Sequence, residues 1–527
     1  MDAPTNAASD VANKKINWPL VGILVLALAL RLIYLGWAQG NALSYQTDGV
    51  EAYEVAVHYT AGDERAQYIG QPNCNAHSKL PGPLWTLFGV AGLKLTGSMS
   101  GVMWLTIFAN VVAIGLTWRL TRDWFGPRAA NLAALFMATS PWAVFYATIV
   151  WNPSLMPLFG ALIFLALAQN LRTEKSRLIF LIPFLILISP QFHMSPLTLI
   201  LPLIAYAWLA KVKVNWRWLI CGLVSGIACY LPYFHGEMQH HWANTRGILF
   251  GGEGHFSADA LKIFSSPFSF LVNFWNPGWT YAPGDYQALA RHTFGSTAGL
   301  IMANVISVIF AAILLIALIQ LAITTVKQFR SSPRLAFFRA PGLALPGFLL
   351  ATYLLFNLIA GKPFHARYCL LVLPLIFALA GAAAAQGFTH PRLRKLLLPA
   401  LVLTIAANLW FVSTMSWFER DRIAHSPVFV PSFAKLESVY QELRKNSNVP
   451  IRVSDTAYLA TLKEADKIHQ WASLIRRYVN ARLVELPLAN VATQPVKVFE
   501  LRAASTVNPS DPTLGFYGNG LALVALP

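Results

Sequence analysis

The chain has 527 residues, 56% of them hydrophobic and only 12% charged, with 40 Lys and Arg against 23 Asp and Glu. A soluble domain carries roughly 25% charged residues, so this composition excludes a soluble body of this size. The net charge of +17 would point to nucleic acid if the excess lay on one patch, but it is spread over the loops between apolar runs, which excludes that class as well.

Residues 1–17 open polar and small, with no basic start and no small-residue cleavage site before the first apolar run. They read as a cytoplasmic N-terminal segment, and the first span reads as retained rather than as a cleaved signal peptide. That span, Trp18–Ala38, holds Arg31 as its one charged side chain. Runs of about 20 apolar residues are what a bilayer core of roughly 30 Å demands of a helix. A first outer loop follows over 39–98, polar to Leu80 and then apolar from Pro81 to Gly97, the apolar part being read as lying in the outer interface.

With that choice the remaining spans fall at Met99–Trp118, Ala129–Tyr146, Pro153–Leu171, Leu178–Pro190, Ser195–Ala210 and Trp218–Phe234. After a long outer loop over 235–297 come Ala298–Val326, Leu343–Ala360, Tyr368–Ala385 and Leu396–Met415, for about eleven spans in the region 18–416. Eighteen Lys and Arg then collect on one side of the membrane and eight on the other, before the tail. Orientation follows such a bias, so the N-terminus is cytoplasmic and the C-terminus periplasmic. No carboxylate falls within a span. Beyond residue 416 the composition changes: charges of both signs mix with helical periodicity at Ser432–Lys445 and Thr456–Val479 and with strand-like runs at Val496–Arg502 and Leu521–Leu526. The expected fold class is a polytopic α-helical membrane protein with a small C-terminal α/β domain, 417–527, outside the membrane.

Acidic residues crowd into the first outer loop. Asp48 stands just past the first span, well placed to take a proton from a hydroxyl in a cleft of the outer leaflet. With Glu51 three places on, it also has the spacing of a capping pair opening a helix over Gly49–Thr60, and both readings stand. The loop ends His77-Ser78-Lys79-Leu80-Pro81-Gly82-Pro83. Lys79 there is either a point charge for a lipid phosphate or a snorkelling anchor. Two short polar outer turns carry Asn152 and His193, the latter read either as a binding residue or as a solvated helix end. His365 and Arg367 precede the tenth span, where an arginine forks onto phosphate or simply anchors at the headgroups. His235, His240, His241 and His255 of the long outer loop fit no metal-ligand spacing, and Cys74, Cys221, Cys229 and Cys369 form neither a disulfide framework nor a zinc motif.

The order and common sidedness of several pieces resemble the GT-C superfamily of lipid-linked-sugar transferases, in particular the protein O-mannosyltransferase and aminoarabinose transferase group. These pieces are Asp48 after the first span, Lys79-Leu80-Pro81-Gly82-Pro83-Leu84-Trp85, and Phe125-Gly126-Pro127-Arg128 leading to Ser140-Pro141. Gln191-Phe192-His193 and His365-Ala366-Arg367-Tyr368 complete the set. The resemblance implies a GT-C fold and transfer of a sugar from a polyprenyl-phosphate-linked donor to a lipid, glycan or protein acceptor at the outer face of a bacterial inner membrane, with inversion. It implies Asp48 as general base, Lys79, Arg367 and His365 at the donor phosphate, and Glu51, Tyr53, His77, Asn152 and His193 as substrate contacts. Relatives often place a second aspartate in the second outer loop, where this chain has Asn152, and asparagine cannot act as the second base of a paired-acid or metal-bridged scheme. No metal ligand is assigned, and dependence on a divalent cation stays open. A transporter and an envelope assembly or binding protein are the alternatives. The spans hold no carboxylate of the kind that proton-coupled transport uses.

Overall fold

The computed structural model of the chain describes residues 17–37, 48–72, 78–250, 297–340, 342–359, 366–425, 433–445, 451–453, 475–481, 497–503, 513–517 and 521–525. The helices are α1 (Trp18–Trp37), α2 (Asp48–Thr60), α3 (Leu84–Thr96), α4 (Ser100–Phe125), α5 (Pro127–Thr139) and α6 (Pro141–Thr148). They continue with α7 (Met156–Thr173), α8 (Leu181–Ile188), α9 (Ile200–Leu209), α10 (Trp216–Ala228), α11 (Leu231–Gln239) and α12 (Ala243–Phe250). The last are α13 (Thr297–Ser331), α14 (Arg334–Arg339), α15 (Ala344–Ile359), α16 (Leu373–Thr389), α17 (Pro391–His425) and α18 (Phe433–Lys445).

Each apolar run read as a span carries helix. Among the described residues, 5 helical stretches are long and apolar enough to cross a membrane unaided: Trp18–Leu35, Ser100–Phe125, Asn152–Thr173, Val308–Ser331 and Pro391–Trp410. The pair α10 and α11 passes the same test together and bends by 40° at its break. The other apolar helices are shorter, so the expected spans are not all single unbroken helices. Large apolar side chains face outward, Trp208 at 77% and Phe108 at 68% exposure among them. Lipid is the solvent such a surface fits, and the chain is a multi-pass membrane protein.

The core of the bundle is built on small residues. Ala129, Ala130, Ala133 and Ala134 of α5 are fully buried, and α16 lies against them. Gly381 marks the closest approach: a Cβ there would collide with the Ala129 carbonyl oxygen and with Ala133. Without a hydrophobic drive between helices in lipid, such close backbone packing supplies the association.

The expected span Ala129–Tyr146 departs from the reading. It is broken between α5 and α6 at Ser140, which is extended (φ −65°, ψ 121°) and accepts a hydrogen bond from Ala143 N. Pro141 is the cause, since its ring disfavours helical backbone in the preceding residue and it has no N–H for the Met137 carbonyl. Arg31 of α1, fully buried, fills the gap. Its guanidinium donates to the carbonyls of Met137 (3.5 Å), Ala138 (3.3 Å) and Ala143 (3.3 Å), and to Ala27 of its own helix (3.0 Å). The one cation of the first span is a helix cap inside the membrane.

Among the described residues after 432 are α18, a helical segment at 475–481 and four strands, β1 (Ile451–Val453), β2 (Lys497–Ala503), β3 (Thr513–Tyr517) and β4 (Leu521–Ala525). The sheet order is β1-β2-β4-β3. Strands β1 and β2 run parallel, whereas β2 pairs antiparallel with β4, Leu501 opposite Leu523, and β4 pairs antiparallel with β3. Most of Thr456–Val479 lies outside the described residues.

Candidate functional site

Asp48 is the first residue of α2. Its Oδ2 accepts a hydrogen bond of 2.7 Å from the Trp151 indole N–H. Trp151 itself is 1% exposed and stacks on Tyr146 with ring centroids 5.7 Å apart. A buried indole stacked on a neighbouring ring is held in place, so the carboxylate meets a fixed donor. The extended segment carrying Trp151 follows from Pro153, which stops α6 from running on and starts the 3-10 turn Asn152–Leu155.

From Trp151 the contacts run on through the other outer turns. Asn152, buried, donates its Nδ2 to the Phe192 carbonyl at 2.5 Å. His193, the next residue, has its Nδ1 2.9 Å from Ser195 Oγ, and its ring lies 5.8 Å from that of Tyr368. The Tyr368 carbonyl accepts from Tyr353 OH at 2.6 Å, which fixes the 3-10 helix Ala366–Leu370 that contains Arg367. Four segments far apart in sequence thus meet in one chain of contacts from Asp48 to the backbone around Arg367. His77 and His365 lie outside the described residues.

Lys79 sits on a second arm. Residues 70–72 and 79–80 pair like a short hairpin, with Gly70 N to Leu80 O and Leu80 N to Gln71 O both 2.9 Å and a bridge between Pro72 and Lys79. Asn244 grips the lysine backbone from both sides: Lys79 N donates to Asn244 Oδ1 (2.6 Å), and Asn244 Nδ2 donates to Lys79 O (3.2 Å). Behind Asn244 the buried Glu237 accepts from the backbone N–H groups of Asn244 and Thr245. The same loop is tied to the His193 turn at Gly82. This glycine has φ +126°, and any Cβ there would strike the Gln191 side chain, whose Oε1 accepts from Leu84 N at 3.2 Å.

Lys79 lines a cleft of about 200 Å³ together with Glu54, His58, Asp63, Arg65 and Arg477. Asp48 is not among its walls. Glu54 is six residues further along α2, about 9 Å in helical rise, so the two arms meet along that helix rather than at one point.

Arg477 was not legible in the sequence. From the helical segment 475–481 it reaches Glu51 (Nη1–Oε1 2.8 Å) and Glu54 (Nη2–Oε2 2.8 Å, Nε–Oε2 2.9 Å). Its neighbour Tyr478 stacks on Tyr53 at 5.0 Å and donates to Glu437 at 2.6 Å. Burial alone would lower the Arg477 pKa, but attraction to Glu54 and then Glu51, with their hydrogen bonds, outweighs it and raises the value. The Glu51 carboxylate and the Tyr53 ring, both expected to touch substrate, are engaged by the tail. No local signal announces a pairing across 426 residues. Among the described residues, no group of three metal-ligating side chains gathers.

The fold is shared with solved structures of ArnT. ArnT from Cupriavidus metallidurans, in its undecaprenyl phosphate complex, matches with a TM-score of 0.58 at 13% identity over 96% of this chain and 97% of its own. The same protein in the apo state matches with a TM-score of 0.58 at 14% identity, over 96% and 98% of the two chains. The Archaeoglobus fulgidus oligosaccharyltransferase matches more loosely, with a TM-score of 0.42 at 14% identity over 93% of this chain and 69% of its own. No family model and no curated protein matches the sequence.

Proposed function

We propose that the chain is a membrane glycosyltransferase. It moves a sugar from a polyprenyl-phosphate carrier to an acceptor hydroxyl at the outer face of the bacterial inner membrane. Residues 1–17 are then cytoplasmic, eleven spans follow up to residue 416, and residues 417–527 form a periplasmic α/β domain. The observation that carries the reading is the carboxylate of Asp48, held by the buried Trp151 indole at the head of the contacts that end beside Arg367. The fold shared with ArnT, solved with undecaprenyl phosphate, supports a polyprenyl-phosphate donor as an analogy of fold.

The chemistry follows from the groups. Asp48 accepts the proton of the acceptor hydroxyl as that oxygen's lone pair forms a bond to the anomeric carbon. The bond from that carbon to the phosphate oxygen breaks on the opposite face, its electron pair leaves with the phosphate, and the configuration inverts. Lys79 and Arg367, with His365, meet the charge growing on the phosphate; fixed donors of this kind contribute about 3–4 kcal/mol each to such a step. Asn152 and His193 border the donor side, with His77 at the loop beside Lys79. Glu51 and Tyr53 serve by holding α2 through Arg477 and Tyr478.

Purified chain, incubated with radiolabelled polyprenyl-phosphate sugars and a panel of lipid, glycan and peptide acceptors, tests this. Asp48→Asn should cut turnover about 10²- to 10⁴-fold, the usual worth of a general base, with donor binding kept. Turnover by that variant near the wild-type rate would refute the mechanism. Failure of the wild-type chain to transfer any of the sugars would favour a transporter or an assembly protein. Arg31 gives the transport reading no support, since its guanidinium caps the break between α5 and α6.

A further inference from the structure

One sequence motif has no part in the proposed chemistry: Phe125-Gly126-Pro127-Arg128, which turns α4 into α5. Gly126, at φ +89°, makes the turn, and Arg128 then falls in the first turn of α5. It lies on a cleft of about 490 Å³ between α5, α16 and α17, lined by Arg128, Asn131, Leu132, Ala385, Phe388, Arg394 and Leu398. That volume is in the range of small-ligand sites, roughly 300–1,000 Å³.

The lining has two guanidiniums and no carboxylate. Among the described residues, neither Arg128 nor Arg394 has an acidic partner. This is not for want of an acid nearby: Asp123, two residues before the motif, is buried and already shared by Arg119, Arg122 and Arg172 at 3.0–3.2 Å. Arg394 moreover opens α17 beside Arg392 and Lys395, in a first turn without an acid. Cations at that end of a helix are repelled by its dipole, so the cleft is short of negative charge on every side. Asn131 adds a donor. Its Oδ1 accepts from the Trp118 indole N–H at 2.8 Å, and its amide NH₂ carries two donors. The other walls, Leu132, Phe388 and Leu398, are apolar, and Leu398 is exposed along a helix that faces lipid. A ligand that fits carries an anionic group at one end and hydrocarbon at the other.

We propose that this cleft binds an anionic glycerophospholipid of the membrane. The phosphodiester is forked by Arg128 and Arg394, Asn131 donates to the headgroup, and the acyl chains lie along Leu132, Phe388 and Leu398. The proposal rests on the membrane reading of the fold, and the N-in topology places the lipid in the inner leaflet. It is independent of the transferase mechanism. Native mass spectrometry of the full chain released from mixed micelles of phosphatidylglycerol and phosphatidylcholine tests it by binding alone. The wild-type chain should retain phosphatidylglycerol at least tenfold over phosphatidylcholine, and Arg128→Gln/Arg394→Gln should reduce that preference to near unity. Arg392→Gln/Lys395→Gln, which removes as much charge from the same turn outside the cleft, should keep it. Should the double arginine variant fail to fold, Arg394→Gln alone, at the exposed start of α17, should weaken the preference severalfold. Equal retention of both lipids by the wild type, an undiminished preference in the Arg128/Arg394 variant, or full displacement of the lipid by millimolar inorganic phosphate would each overturn the proposal. A chain that transfers no sugar yet passes this test would leave the lipid site standing.

Discussion

The bond between Trp151 and Asp48 gives the sharpest test of the site. Trp151→Phe keeps an aromatic ring against Tyr146 and deletes the N–H that reaches Asp48 Oδ2 at 2.7 Å. A hydrogen bond to a charged group contributes about 1.5–3 kcal/mol. At 1.36 kcal/mol per factor of ten in rate, the expected loss is roughly 10- to 160-fold. On the proposed mechanism Trp151 acts through Asp48 as a positioning residue, so the loss should fall on kcat, with KM for the lipid donor within about twofold. The assay is steady-state transfer of radiolabelled sugar by purified protein, with thermal unfolding in the same detergent to show that the variant is folded. A folded variant with kcat within twofold of wild type, or one whose whole defect lies in donor KM, would refute the argument that this indole holds the reacting carboxylate.

Further outcomes follow from the supporting contacts. Asn244→Ala removes both hydrogen bonds that fix the Lys79 backbone, and should raise donor KM about 5- to 160-fold, at roughly 0.5–1.5 kcal/mol per bond, with kcat less affected. Arg477→Gln breaks the pairs to Glu51 and Glu54; tail cleavage in limited proteolysis should quicken at least tenfold, and the swap Glu54→Arg with Arg477→Glu should slow it again. Arg31→Leu leaves the Met137 and Ala138 carbonyls without their donor in an apolar setting, at about 1–3 kcal/mol each, and should lower the unfolding temperature markedly; an unchanged value would show that another group caps the break. Gly381→Val drives a side chain into the Ala129 carbonyl, and should abolish recovery of folded protein from membranes.

How much of this was legible in the sequence depends on the range of the interaction. Lipid imposes its demand on each stretch separately, so the runs from Trp18 to Met415 announced their helices without knowledge of their neighbours. The break at Ser140 was written locally too, in Pro141, but apolar continuity on both sides masked it. The helix at α2 was expected from the acidic residues that open it, yet the partner of Glu51 was not. A capping role was as good a reading as any until Arg477 appeared on that carboxylate. Similarly, Asp48 stood out by its place after a span, whereas the Trp151 that holds it is 103 residues away inside a turn noted only for Asn152. Local pattern picked out the groups; which of them meet is decided by three-dimensional packing.

The clamp of Arg477 on α2 has a temporal side. Glu51 is made 426 residues before its guanidinium partner, and chains grow at roughly 5–20 residues per second. For about 20–90 seconds, then, a nascent chain carries the helix of Asp48 with two carboxylates still waiting for their counter-ion. The clamp closes only after the segment 475–481 has been synthesised and delivered to the same side of the membrane. A chain cut short before that point keeps Asp48 yet lacks the contact that braces its helix, so the fastening of this helix reports that translation has passed residue 477.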